Sequence, residues 1–158
     1  MNVLTSDLHI DVQRVSAVSQ QPDDNSLQHW VQTALELESL SGQIELCVRI
    51  VDEAEISTLN QQYRQRSAPT NVLSFSAENI PQIPVHMLGD LVICATVVNQ
   101  ESQQQNKTID AHWAHMVIHG VLHLCGYDHI NDIDAQQMES RELAILNKLG
   151  FSNPYEVK

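Results

Sequence analysis

Residues 119–129 read HGVLHLCGYDH, which places His119, His123 and His129 within eleven positions. In an α-helix, residues four apart stand one above the other on the same face, so His119 and His123 present their imidazoles side by side. Gly126 can take the left-handed conformation that ends a helix and turns the chain back. That reversal carries Tyr127, Asp128 and His129 towards the two helical rings. Three neutral ring nitrogens converging in this way hold one divalent cation and leave a fourth tetrahedral position for water, the open arrangement of a catalytic zinc. A cation with only neutral ligands keeps its full charge and acidifies that water strongly. The expected ion is one Zn2+ per chain; Ni2+ or another divalent ion suits the same nitrogens.

Neighbouring residues take lesser parts. His115 lies one turn further back on the same face and reads as a support for the ligands or a substrate-facing group. His112, His86, His29 and His9 lack such company and read as ordinary residues. Cys125 points away from the 119/123 face and reads as a packed small hydrophobe. Asp128 either orients a ligand histidine, or serves as general base, or is a turn residue bonded to its own backbone. The spacing H-x-x-x-H-x-x-G-x-x-H is also that of the metzincin proteases, which carry a glutamate after the first histidine as their general base. Here that position is Gly120, which counts against peptide hydrolysis.

Elements to carry these side chains are legible along the chain. Leu8, Ile10 and Val12 alternate with polar residues as in a strand, and so do Ile44, Leu46, Val48 and Ile50. Asn25 or Ser26 is placed to cap a helix through Leu37, and Asp52 with Glu55 forms a capping-box pair before a helix towards Tyr63. NVLSFS and LGDLVICA read as two further strands, joined by a loop that contains Pro81 and Pro84. Helices are expected over 96–106, 111–125 and 132–149, the last stopped by Gly150. Strands first and helices mostly later predict an α+β fold, with residues 1–158 as a single domain built on a mixed sheet of about four strands. The metal site would lie on one helix and the turn after it.

Composition narrows the function classes. Twenty acidic residues against eight basic ones give a net charge of −12, which argues against coating nucleic acid by bulk attraction, and no DNA partner is expected. No secretory signal and no apolar run of membrane-spanning length is read, so no membrane role is expected. Cys47, Cys94 and Cys125 are odd in number, widely spaced and set among apolar residues, as for reduced thiols in the cytoplasm.

HGVLHLCGYDH, with AHWAHMVI just before it, closely resembles the signature of the YbeY family of metal-dependent endoribonucleases. LNQQYR at 59–64, PTNVLSF at 69–75 and LGDLVIC at 88–94 resemble that family's other characteristic stretches in the same order, and together they span about residues 45–155. The resemblance implies a zinc-type site at His119, His123 and His129 and cleavage of single-stranded RNA. It also implies a part in ribosomal RNA maturation, notably at the 16S 3′ end, and in ribosome quality control, with the ribosome or its small-subunit proteins as partners. Arg64 is implied to be catalytic or RNA-contacting, which its planar two-pronged donor geometry suits. The chain departs from the family pattern at QRSA, where a glycine and lysines are common, and at Ser76 in place of a proline. Two rivals stand beside this reading: a metallopeptidase-like hydrolase, and a ribosome assembly factor whose metal only braces the fold.

Overall fold

Alternation of apolar and polar residues produces two long neighbouring strands, β1 (Ser6–Arg14) and β2 (Gly42–Val51). They pair in parallel with Leu8 opposite Ile44 and Ile10 opposite Leu46, so their apolar sides share one face. In the computed structural model, residues 6–66, 68–78, 82, 84–128 and 130–155 are described. β3 (Val72–Ser76) runs antiparallel to β4 (Val85–Cys94), which is itself parallel to β2. The sheet order is β1-β2-β4-β3. The expected α+β class with a four-stranded mixed sheet is therefore the observed one.

Among the described residues five helices join the sheet: α1 (Asp24–Leu37), α2 (Glu53–Arg64), α3 (Ala95–Gln104), α4 (Ile109–Leu124) and α5 (Asp132–Leu149). None of them, among the described residues, is long and apolar enough to cross a membrane. Two expected caps need correction. α1 is capped by Asp23, not by Asn25 or Ser26; its carboxylate accepts from the Ser26 N–H at 2.7 Å. Asp52 does precede α2, but no capping bond forms, because its side chain accepts from the Ser16 hydroxyl instead, at 2.5 Å. Glu55 is likewise drawn off, to Arg49 at 2.5 and 3.0 Å. Strong partners across the fold outcompete the local ones.

α4 is the central element. It packs on β3 and β4 on one side and on α1, α3 and α5 on the others, and Trp113, Val117, Ile118, Val121 and Leu122 are fully buried. Its close seat on the sheet depends on Gly120: a Cβ there would lie 2.7 Å from Leu91 Cδ2 and 3.3 Å from Ser74 Oγ. The Ser74 hydroxyl donates to the Gly120 carbonyl at 3.2 Å. Adjacent strand residues face opposite ways, so Leu73 and Phe75 look to the other side, where α2 lies and Tyr63 meets the Phe75 ring edge-on at 5.0 Å. Replacing Gly120 by alanine should overpack this contact and cost about 1–3 kcal/mol of stability, read as a lower urea midpoint with unchanged slope.

Candidate metal centre

His119 and His123 occupy the last turns of α4 with ring centroids 4.6 Å apart and planes at 83°. Their Nε2 atoms face one another at 3.1 Å. The opposite nitrogen of each ring is fixed by an acceptor: His119 Nδ1 lies 2.5 Å from Glu142 Oε2, and His123 Nδ1 lies 3.0 Å from the Tyr127 carbonyl. A carboxylate and a carbonyl only accept, so both protons belong on Nδ1 and both Nε2 atoms present lone pairs. Two lone pairs this close repel unless positive charge lies between them. Two nitrogens held tetrahedrally at zinc-ligand distance would stand about 3.3 Å apart, so the donor set fits a divalent ion. Ligand histidines typically give their other N–H to a carboxylate or a backbone carbonyl, as both rings do here.

The turn after α4 supplies one of these acceptors. Gly126 has φ +106°, and its N–H bonds back to the His123 carbonyl at 3.0 Å while the Tyr127 N–H bonds to that of Leu122, also at 3.0 Å. Gly126 thus reverses the chain as its position predicts, and the reversal swings the Tyr127 carbonyl onto His123. The Tyr127 side chain is tied down in turn, donating to Glu38 Oε1 at 2.7 Å. Arg141 holds the other Glu38 oxygen at 2.7 Å and the Leu37 carbonyl at 2.8 Å.

Glu142 supplies the other acceptor and has no solvent exposure. Its carboxylate meets His115 Nε2 at 2.9 Å, His119 Nδ1 and the Tyr155 hydroxyl. Burial alone would raise its pKa, but these three donors bring it down to about 2. Burial also lowers the pKa of His115, against the pull of Glu142, and raises that of Tyr155, so its phenol stays a donor. His115 is therefore a co-donor to the carboxylate that orients His119. His112 departs from its reading as a residue without company: it is buried, lies 2.9 Å from Glu101 Oε1 and stands edge-on to His115. Cys125 is half-buried, and burial pushes its thiol up to about 11, in keeping with a packed apolar residue.

His129 lies outside the described residues, and among those described no group of three or more His, Cys, Asp or Glu is arranged to hold a metal. The pair His119–His123 is what the fold brings together. Asp128 is exposed, on the rim of a cleft of about 380 Å³. Arg64 is the exposed last residue of α2, next to the Tyr63–Phe75 contact and so across the β3 edge from α4; no ion pair holds it among the described residues. Sequence reasoning missed Glu142 and Tyr155. The signal for Glu142 was a carboxylate in line with Met138, Ile145 and Leu146 on the buried face of α5.

The solution structure of TM1509 from Thermotoga maritima is similar to this chain in fold, with a TM-score of 0.54 and 24% identity over 94% of this chain and 100% of that one. The sequence model of the family described as "Endoribonuclease YbeY" matches residues 9–150, which takes in β2 to α5 and most of β1. The chain therefore belongs to the YbeY family, endoribonucleases of ribosomal RNA processing.

Proposed function

We propose that this protein is a single-strand-specific endoribonuclease of the cytoplasm that works with one zinc ion held by His119, His123 and His129. It would act at the 3′ end of 16S ribosomal RNA and in ribosome quality control. The observation that carries the reading is the opposed Nε2 pair of His119 and His123, whose protons are pinned on the far nitrogens by Glu142 and Tyr127. When bound, such an ion supplies Lewis acidity at the phosphodiester and lowers the pKa of the attacking water. Glu142 keeps His119 in the ligand tautomer, and the Tyr127 carbonyl does the same for His123. Asp128, five residues beyond His123, is the carboxylate this reading assigns as proton acceptor.

Arg64 is assigned to the phosphate, whose developing charge a guanidinium meets with two parallel hydrogen bonds. β3 is an edge strand, so an RNA strand laid across that edge would reach the end of α4 on one side and the end of α2 on the other. A net charge of −12 offers no bulk attraction to RNA; docking on basic small-subunit ribosomal proteins would bring the substrate within reach. Gly120 speaks against the peptidase rival a second time. A Cβ at this position would already meet Leu91 and Ser74, so a glutamate side chain there would start from inside the helix–sheet contact.

In H123A, metal content should fall from about one ion per chain to near zero and cleavage of an unstructured RNA to background. Full activity in a metal-free protein would overturn the mechanism. R64A should keep its metal yet lose about 10²–10³-fold in cleavage rate, and R64K should recover only part, since a lysine is a point charge; a fully active R64A would remove Arg64 from the site. Chelation should abolish cleavage while the melting temperature falls by only a few degrees, and casein should stay intact. A collapse of the melting temperature on chelation would favour a metal that only braces the fold.

A further inference from the structure

Beyond α5 the chain does not run off into solvent. Phe151 lies edge-on to Trp30 at 6.3 Å, and Asn153 accepts from the Tyr155 N–H at 2.8 Å, turning the tail back over the helices. That turn sets the Tyr155 ring edge-on to His115 with centroids 5.4 Å apart. Its hydroxyl reaches Glu142 Oε1 and stands 3.2 Å from His115 Nε2. Although Tyr155 is 44% exposed as a whole, its polar end is inserted into the buried network.

The two oxygens of Glu142 have separate duties. Oε2 takes the His119 N–H, while Oε1 is shared by His115 and Tyr155. His115 and His119 hold one oxygen each, but both belong to α4 and leave the carboxylate able to tilt with that helix face; the hydroxyl, arriving from the tail, meets Oε1 from a second direction and restricts the tilt. The plane of the group is then set, and with it the direction from which Oε2 faces His119. We propose that Tyr155 is a positioning residue of the metal centre: its hydroxyl locks Glu142 in the orientation that keeps the proton on His119 Nδ1 and aims Nε2 at His123. No step of the RNA chemistry above uses this hydroxyl. The inference rests on His119 and His123 being metal ligands, and it adds the tail to the machinery that prepares them.

Y155F tests it, because the ring and its contact with His115 survive and only the hydroxyl is lost. Zn2+ affinity, measured by competition with a chromophoric chelator, should weaken roughly tenfold, and zinc should leave the variant faster. In metal-free protein labelled with ¹⁵N-histidine, the His119 ring shifts should move from a pure Nδ1–H tautomer towards a mixture. Incorporation of 4-aminophenylalanine at position 155 restores a donor in the same place and should recover both readouts, which a purely structural tail contact would not require. Equal zinc affinity and unchanged His119 tautomer in Y155F would overturn the proposal while leaving the metal reading intact. If the unsubstituted protein takes up no Zn2+, the metal reading fails, and the tautomer measurement alone then decides whether the hydroxyl orients His119. Should Y155F fail to fold, 4-methoxyphenylalanine at position 155, which keeps the ring and the oxygen but cannot donate, takes its place: a mixed His119 tautomer supports the lock, and an unchanged Nδ1–H form overturns it.

Discussion

Burying an ionised carboxylate costs several kcal/mol unless donors replace the water it loses, and removing one partner from such a group costs about 3–5 kcal/mol. Glu142 is such a carboxylate, the only one fully buried among the described residues. It is met by two histidines of α4 and a tyrosine from the chain beyond α5. The relation between α4, α5 and the tail is thereby fixed by the need to satisfy one charge. The same charge dictates which nitrogen of His119 carries the proton, so a requirement of folding and a requirement of metal binding are met by one bond.

The sheet makes its own demand on α4. Seating the helix against Leu91 and Ser74 requires a residue without a side chain, and Gly120 meets that need at the position where the metzincin proteases keep their catalytic glutamate. The neighbouring His119 points the other way, towards α5. One helix thus separates packing from chemistry by rotation about its axis, with the sheet on one side and the row of imidazoles from His112 to His123 on another.

Much of this was legible in the sequence, for reasons that differ between elements. The strands could be read because a half-buried sheet writes a period of two into its residues, as in Ile44 to Ile50. The pairing of His119 with His123 followed from helical geometry, and the reversal at Gly126 from its tolerance of positive φ. The caps at Asp23 and Asp52 were misread because capping depends on which partners compete. Ser16 and Arg49 come from elsewhere in the chain, and no local pattern announces them. Glu142 and Tyr155 escaped for the same reason, being 23 and 36 positions away from His119 along the chain (142 − 119 and 155 − 119). Only the odd placing of a carboxylate on an apolar helix stripe marked the first, and nothing local marked the second.

Arg141 and Glu142 are consecutive residues, and between them they secure both imidazoles: Glu142 directly, Arg141 through Glu38 and the Tyr127 turn. Each residue added to a helix rotates all later side chains by about 100°. A single insertion or deletion between Asp132 and Arg141 would therefore swing both anchors off their targets together. Length drift across lineages should accordingly be absorbed outside that interval, which acts as a molecular ruler counted from the start of α5.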